Sequence, residues 1–320
     1  MKIYKNIKEI DRKFQNTVLT IGNFDGVHLG HQALFRKVVE ISGITSGDRV
    51  AVTFYPHPLK VLRPDNPPKL VSTFEQKAEL IEKAGIDHLV SIPFDMELAG
   101  TTADDFIKGL LVDTFHVADL VIGYDYACGK GRQGDIPFLV NAGSVYGFNV
   151  HVIPKVMVGD TVASSTNVRK LVASGEMRKV ASLLGRYYQF RGIVRRGKKR
   201  GGPVVGFPTA NLNINPDDLC PRTGVYAVQV IHDECCYGGV INIGYNPTFG
   251  DQGLGAEVHI FDFDRDIYGH PIKVNMIQRI RGEEKFESVE ALSRRIALDV
   301  EEAEAILRKE EGLVRSCRHG

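Results

Sequence analysis

Two histidines, His28 and His31, stand close together in the stretch "GNFDGVHLGH", which follows an apolar run and precedes a helical pattern. Gly22, Gly26 and Gly30 punctuate the same stretch and permit the crowded backbone that a bulky ligand requires. Imidazole donors beside the free amides and positive end of a helix suit phosphate oxygens. A metal site is the weakest alternative, because no third ligand follows at a matching spacing. A lone histidine would be ordinary polar packing, but two flanking a glycine favour the phosphate site.

A second pattern of the same kind occurs in "SSTNVR". Ser164, Ser165 and Thr166 lie at a predicted helix start, and Arg169 follows one turn later. Hydroxyls, free amides and a guanidinium together form an anion-binding site. The segment is therefore a second candidate anion-binding site.

Strand and helix patterns alternate from about Thr17 to Pro154, which predicts a Rossmann-like, doubly wound parallel sheet. The predicted strands are "TVLTIG", "RVAVTF", "DHLVSIPF", "ADLVIG" and "FNVHVIP". The helix "GHQALFRKVVEIS" carries its apolar residues on one face, and we expect it to stop at Gly43. Ligands bind such sheets beyond the carboxyl ends of the strands, which is where the histidine motif lies.

The pattern changes after two short helices, "STNVRKLVAS" and "EMRKVASLLG". Six strand patterns without helices between them follow from Tyr187 to about Arg281, and they predict a six-stranded antiparallel barrel. A helical stripe from Ser288 to Leu307 is expected to pack against that barrel. The stripe consists of Val289, Leu292, Ile296, Val300, Ala303 and Leu307. We place the domains at 1–185 and 186–320.

Composition limits the classes of partner. The 320 residues carry a formal net charge of +1, so no global field draws the chain to nucleic acid or an anionic membrane. The first residues lack the apolar region of a signal peptide, and no run reaches transmembrane length, which predicts a cytoplasmic protein. We expect a monomer or weak homo-oligomer. The five cysteines are odd in number and without CxxC spacing, so we expect free thiols.

The amino-terminal half resembles the nucleotidylyltransferase superfamily, in the form found in bacterial FAD synthetases. Its "GNFDGVHLGH" resembles the HxGH motif, and "TFYPHP", "GYDYACGKGRQGD" and "SSTNVR" follow in the family's order. The resemblance implies that the phosphate of FMN attacks ATP, with Mg²⁺ on the phosphates, to give FAD and pyrophosphate. It also implies catalytic roles for His28, His31 and Arg169. The implied ATP-binding residues are Gly22, Asn23, Phe24, Asp25, Gly30, Ser164, Ser165 and Thr166, and the implied flavin-binding residues are Asp125, Tyr126 and Lys130.

Several alternatives stay open in this half. Ala127 and Cys128 replace the arginine and phenylalanine common in relatives, which leaves the flavin contacts in doubt. Asp25 either lines the pocket or only fixes the turn, and "TFYPHP" either contributes to the site or only ends a strand. The run "GKGRQG" spells the GxGxxG fingerprint of an NAD-dependent oxidoreductase, but it follows a late strand at the wrong distance.

The carboxy-terminal half resembles riboflavin kinases through "GFPTAN", "GVYAV", "INIGYNPTFG", "EVHIFDFDRDIYG" and "IRGEEKF". The resemblance implies that riboflavin is phosphorylated to FMN on a barrel. It implies that Gly206, Thr209 and Asn211 bind ATP, that Thr209 and Asn211 also hold Mg²⁺, and that Glu257 is the base. Arg281 and Glu284 would bind the flavin.

The second half also keeps alternatives. Glu257 shares one strand face with His259 and Phe261, opposite Val258 and Ile260. A glutamate on such a strand is usually a carboxylate on the outside of the barrel, and only the motif outweighs that alternative. Pro203 stands where relatives carry an arginine, so one alternative is that only one of the two activities is retained. A basic patch from Arg195 to Arg200 raises the alternative of an RNA-binding protein, though no aromatic residues are interleaved with it.

Overall fold

The structure is a computed structural model that describes residues 1–195, 207–245 and 254–310. It divides into two compact units, Met1–Asn167 and Val168–Gly320. The domain boundary placed near Gly185 stays a prediction. Among the described residues, no helix is long and apolar enough to cross a membrane.

The first unit is built on a sheet of six parallel strands, in the order β1-β4-β3-β2-β5-β6. The strands are β1 Lys2–Tyr4, β2 Thr17–Ile21, β3 Arg49–Tyr55, β4 His88–Pro93, β5 Val117–Gly123 and β6 Asn149–Ile153. This confirms the predicted doubly wound sheet. The edge strand β1 was not predicted, because its three residues sit among charged side chains and show no strand period.

Helices cover both faces of the sheet. They are α1 Leu29–Thr45, α2 Pro58–Leu62, α3 Phe74–Lys83, α4 Met96–Gly100, α5 Ala103–Phe106, which continues as a π-helix over Ile107–Thr114, and α6 Ile136–Tyr146. Short 3₁₀ turns lie at Ile7–Glu9 and Lys130–Arg132, and a small hairpin joins β7 Met157–Val158 to β8 Thr161–Val162.

The predicted end of α1 at Gly43 is wrong. The helix continues to Thr45 and ends at Ser46, whose φ is 54°. A glycine inside a helix costs only about 1 kcal/mol, and burial of Val38 and Ile41 just before it offsets that cost. The hydroxyl of Ser42 also donates a hydrogen bond of 2.7 Å to the carbonyl oxygen of Gly47, which lies just beyond the end of the helix.

Two apolar clusters pack on opposite faces of the sheet because side chains alternate along each strand. Val18 and Val121 face α1 and α3 in one cluster. Leu19 and Leu120 belong to the other, with Leu139 of α6. The strands are therefore buried on both sides, and only their ends are open to ligands.

The second unit contains a closed barrel of six antiparallel strands in the order β10-β13-β12-β11-β14-β9, as predicted. Its strands are β9 Tyr188–Arg195, β10 Ala210–Asn213, β11 Gly224–His232, β12 Cys235–Tyr245, β13 Leu254–Ile260 and β14 Pro271–Arg281. The two predicted short helices are α7 Ser165–Ser174, whose first residues belong to the first unit, and α8 Met177–Leu184.

The predicted carboxy-terminal helix is α9 Val289–Lys309, and it packs against the barrel wall. Ala303 and Leu307 of the predicted stripe are buried in one cluster with Val225 and Ile277 of the barrel. Val289, at the beginning of the stripe, is 45% exposed. The second half of the stripe therefore makes the contact with the barrel.

Candidate nucleotide-binding sites

The histidine motif lies at the edge of the sheet where ligands bind in doubly wound folds. Strand β2 lies between β3 and β5, so the strand order reverses beside it. The loop after β2, the loop after β5 and the segment after β6 all leave the sheet at the same edge, because the strands are parallel. All the predicted site segments of the first unit therefore meet at one edge.

His28 and His31 are stacked on one another. His28 is the N-cap residue of α1 and is 7% exposed, and the two ring centroids are 3.6 Å apart with an interplanar angle of 25°. The ring of Phe24 contacts His31 edge-on at 5.4 Å. Both imidazoles are thus held rigidly at the helix start, where backbone amides and the helix dipole favour an anion.

The loop before the histidines is held by a buried aromatic residue and by hydrogen bonds to the Asp25 carboxylate. Phe24 is fully buried, and its ring packs against that of Phe35. The carboxylate of Asp25 accepts hydrogen bonds from the amides of Val71 and Ser72 at 3.0–3.2 Å. These hydrogen bonds support the alternative in which Asp25 fixes the turn. Gly22 and Asn23 lie in the same loop, at the end of β2.

Contacts join the histidine loop to the beginning of α7 and to the residue two positions before it. The hydroxyl of Ser165 donates to the backbone carbonyl of Asp25 at 2.8 Å, across 140 residues of sequence. A Cβ atom on Gly30 would come within 3.0 Å of the Ala163 carbonyl oxygen. Gly30 therefore permits a close approach of backbone that any larger residue would disturb.

The remaining residues of the second motif begin α7. Ser164 caps the helix by accepting from the amide of Asn167 at 3.2 Å, and Thr166 is exposed. Asn167 also donates to the carbonyl of Val162 at 2.9 Å. Arg169 lies one turn further along α7, within the second unit.

Lys77 of α3 is a charged residue beside this loop that the sequence analysis missed. Its ammonium donates to the Asn23 carbonyl at 3.1 Å and to the Thr53 hydroxyl at 3.0 Å, and its side chain is buried. Burial lowers the pKa of Lys77 to about 8, while the nearby Asp25 acts in the opposite direction. A lysine on an amphipathic helix gives no sequence signal of burial, because such residues are usually exposed.

The segment after β5 forms a compact loop. Cys128 and Gly134 exchange backbone hydrogen bonds at 3.0 Å, and the Lys130 amide donates to the Thr101 carbonyl at 2.7 Å. Asp125 and Lys130 are exposed, whereas Tyr126 packs partly against the core. Cys128 belongs to the apolar core of the first unit, and burial raises the pKa of its thiol to about 11.

The segment "TFYPHP" ends one element and begins another. Strand β3 ends at Tyr55, and Pro58 is the first residue of α2. His57 caps that helix, its ring nitrogen Nδ1 accepting from the Leu59 amide at 3.2 Å. The interpretation of this segment as a strand end is consistent with these contacts.

On the barrel, the predicted base lies in a row of polar side chains. Glu257 of β13 is paired directly with Asn211 of β10 on one side and with Asn242 of β12 on the other. Directly paired residues point to the same face of a sheet, and this face is the outer one because Val258 and Ile260 are buried. Asn242 was not among the predicted site residues.

Thr209 lies just before β10, two residues from Asn211, and the carbonyl of its neighbour Pro208 lies 2.8 Å from the His259 ring nitrogen. Predictions for Gly206, for Pro203 and for the basic patch beyond Arg195 concern residues outside the described ranges. The thiol state of Cys317 lies outside them too. Cys128, Cys220, Cys235 and Cys236 form no disulfide among the described residues.

Arg281, a predicted flavin-binding residue, forms a forked ion pair with Asp299 of α9. Its guanidinium makes contacts of 2.7–3.0 Å with both carboxylate oxygens, and Asp299 is 2% exposed. Arg295 approaches the same carboxylate at 3.3 Å and the carboxylate of Glu284 at 3.8 Å. Arg281 and Glu284, the two flavin-binding residues predicted for the barrel, thus lie in one charged cluster between β14 and α9.

Comparison with known proteins identifies both halves. Residues 10–167 match the FAD synthetase family, and residues 184–307 match the riboflavin kinase family. A bifunctional riboflavin kinase/FMN adenylyltransferase of Listeria monocytogenes is 37% identical over 298 residues, covering 92% of this chain and 94% of that protein. This chain belongs to that bifunctional family. An Escherichia coli (strain K12) member of the family is 36% identical over 301 residues, covering 93% of this chain and 96% of that protein.

A crystal structure from Streptococcus pneumoniae, described as a macrolide-efflux protein, has the same fold over nearly the whole chain. The TM-score is 0.85 with 29% sequence identity, and the match covers 95% of this chain and 98% of that one. The members of the bifunctional family and this structure thus both span the two units of the chain.

Proposed function

We propose that this family member makes FAD in two ATP-dependent steps, at separate sites. Riboflavin is first phosphorylated to FMN on the barrel of the second unit. The phosphate of FMN is then adenylylated at the edge of the parallel sheet. The observation that carries the second site is the hydrogen bond from Ser165 to the Asp25 carbonyl, which joins the two anion-binding motifs.

In the adenylyl transfer, a phosphate oxygen of FMN attacks the α-phosphorus of ATP. The bond from that phosphorus to the bridging oxygen breaks, and pyrophosphate leaves with the bonding electrons. His28 and His31 donate to the phosphates from the start of α1, and the hydroxyls near Ser165 line the facing segment. Arg169 is proposed to neutralise the charge that grows on the leaving group. The protein's contribution is alignment and charge stabilisation, with no covalent intermediate.

In the kinase step, Glu257 takes the proton from the 5′-hydroxyl of the ribityl chain, whose oxygen attacks the γ-phosphorus of ATP. The bond to the β-phosphate oxygen breaks and ADP leaves. The half-buried position of Glu257, beside Asn211 in the strand register, supports an oriented carboxylate rather than a freely solvated one.

Mg²⁺ is proposed for both steps. Thr209 and Asn211 would hold it in the barrel, where Asn211 is paired with Glu257 and the side-chain oxygen atoms of both residues suit its preference for oxygen ligands. Bound there, the ion would offset the negative charge of the ATP phosphates.

The flavin contacts are proposed from where the residues lie relative to the two sites. Asp125, Tyr126 and Lys130 follow β5, which ends at the same sheet edge as β2, and this supports the proposal that they contact the flavin in the adenylyl transfer site. Arg281 and Glu284 stand at the end of β14, where the Asp299 ion pair fixes the guanidinium. An arginine held in this way orients its neighbours even where it makes no flavin contact itself.

Two substitutions test the separation of sites. Glu257→Gln is expected to slow FMN formation by about 10²- to 10⁴-fold and to leave FAD formation from supplied FMN unchanged. His28→Ala is expected to do the reverse, with a loss of about 10²- to 10³-fold in kcat. Each variant is given riboflavin or FMN with ATP, and products are separated by chromatography. Loss of both activities in one folded variant would show that the two-site assignment is wrong.

The same assay on the unsubstituted protein tests whether one activity is missing. FMN appearing before FAD supports the two-step scheme, and accumulation of FMN without FAD supports a kinase alone. Three further proposals follow from the sequence: a cytoplasmic location, a monomer or weak homo-oligomer, and no nucleic-acid partner. RNA binding through the basic patch would instead show affinity that falls steeply with salt.

A further inference from the structure

Two histidines and a carboxylate lie together at one end of the barrel, and the two-step function uses none of them. His232, Asp233 and His270 each offer one ligand atom, and these atoms lie within 4.8 Å of one another. It is the one such cluster of metal-binding side chains within residues 1–195, 207–245 and 254–310. We infer that this cluster binds a divalent transition-metal ion, separate from any Mg²⁺ on ATP.

The fold brings the three residues together from two places in the sequence. His232 ends β11 and is paired across the hairpin with Cys235, and Asp233 begins the turn between them. Asp233 and Glu234 both have positive φ, 48° and 63°, as the tight two-residue hairpin turn requires. His270 immediately precedes β14, the neighbour of β11 on the other side, and its ring meets that of His232 edge-on at 5.5 Å.

His232 presents one ring nitrogen to the Asp233 carboxylate. The residue is 3% exposed, and its nitrogen Nε2 lies 3.2 Å from a carboxylate oxygen of Asp233. Nε2 is therefore the nitrogen through which His232 would bind an ion held together with Asp233 and His270.

The type of ligand follows from the donor atoms. Two imidazoles and one carboxylate form a set that zinc and related divalent ions prefer, with a fourth position left to water. Mg²⁺ prefers oxygen ligands only, so it competes poorly here. Tetrahedral ligands at about 2.1 Å from the ion lie about 3.4 Å apart, so the cluster must contract slightly. Asp233 and His270 are exposed and can move inward, while His232 is fixed.

The site lies far from the proposed phosphoryl transfer. Glu257 is paired with Asn242, and Asn242 with Val225, which is seven residues from His232 along β11. Seven residues of strand span about 23 Å. A metal ion here therefore ties the β11–β12 turn to the beginning of β14 and stabilises the folded barrel, and it takes no part in catalysis.

The test measures zinc binding to the full-length, tag-free protein by isothermal titration calorimetry in the presence of excess Mg²⁺. One zinc ion per chain is expected. His270→Ala and Asp233→Asn are each expected to weaken binding by at least tenfold, because each removes a ligand from the exposed side of the cluster. The matched control is His151→Ala, which removes the histidine of another histidine–aspartate pair. In that pair, Nε2 of His151 lies 2.7 Å from Oδ1 of Asp119. Among the described residues, this pair belongs to no metal-binding cluster of three side chains. This control should bind zinc as the unsubstituted protein does.

Cobalt substitution distinguishes this site from adventitious binding by the cysteine thiols. A site of two histidines and a carboxylate gives visible d–d bands without a sulfur-to-cobalt charge-transfer band. Zinc should also raise the melting temperature of the unsubstituted protein and leave that of His270→Ala unchanged. Absence of zinc binding, binding that survives both substitutions, or a sulfur charge-transfer band would each overturn the inference. Riboflavin phosphorylation by His270→Ala should equal that of the unsubstituted protein.

Discussion

Gly26 is a position where a single added methyl group should damage the adenylyl transfer site. The residue lies in the histidine loop with φ at +80°, and a Cβ atom there would come within 2.5 Å of the Val71 side chain. The Val71 amide is one of those that hold the Asp25 carboxylate. Moving Val71 aside therefore also disturbs the hydrogen bonds that fasten the loop.

The expected cost of Gly26→Ala has two parts. An L-residue in the left-handed region costs about 1–2 kcal/mol, and forcing an extra methyl group into a packed site costs about 1–3 kcal/mol. Gly147 offers a matched control, because its φ is +81° and nothing lies within 4 Å of an added Cβ. Gly147→Ala should therefore lose only the first part, and the two variants should differ by about 1–3 kcal/mol.

Hydrogen exchange of the β2 amides measures this difference within the first unit of the full-length protein. In the same preparations, Gly26→Ala should be slow in converting FMN to FAD while it phosphorylates riboflavin at the normal rate. Equal protection in Gly26→Ala and Gly147→Ala would refute the steric argument. Equal loss of both activities in folded Gly26→Ala would refute the placement of the loop in one site only.

Two further predictions concern buried charges. Because the pKa of Lys77 falls from 10.5 to about 8 on folding, the unfolded chain holds more protons between those pH values, and stability rises with pH there. The free energy of unfolding, measured by urea denaturation, should therefore rise by up to about 3 kcal/mol relative to that of Lys77→Met between pH 8 and 10.5. Below pH 8 the difference between the two proteins should stay constant. A difference that does not change with pH over the whole range would contradict this prediction. Asp299→Asn should destabilise the protein by about 3–5 kcal/mol, because it leaves the guanidinium of Arg281 buried without its carboxylate. Glu40→Gln, at an exposed pair with Lys37, is the control and should cost less than about 1 kcal/mol in the same denaturation experiment.

The fold was predictable because hydrophobic period reports burial directly. Strands such as Thr17–Ile21 are fully buried and rich in β-branched residues, and the helix over Val289–Lys309 shows an apolar stripe. The prediction failed where tertiary contacts outweigh local preference. The edge strand Lys2–Tyr4 is ordered by pairing with β4, and helix α1 continues past Gly43 because its apolar face is buried.

Predictions of the sites depended on motifs, so they were good for short segments and poor for single residues outside them. Neither Lys77 nor Asp299 belongs to a quoted motif, yet each is buried beside a predicted site residue. Asn242 lies within a quoted motif, but only the strand register places it beside Glu257. The sequence gives no signal that a charged residue on a helix is buried, because most such residues are exposed to solvent.

The sequence by itself determined the two halves, their secondary structure and the chemical type of each motif, because residue type and spacing are local properties. Only the tertiary structure decided which distant groups meet. The hydrogen bond between Ser165 and Asp25, the ion pair between Arg281 and Asp299, and the cluster of His232 with His270 each join residues far apart in the chain. Such contacts depend on strand order and register, which many sequences share and no short stretch of residues specifies.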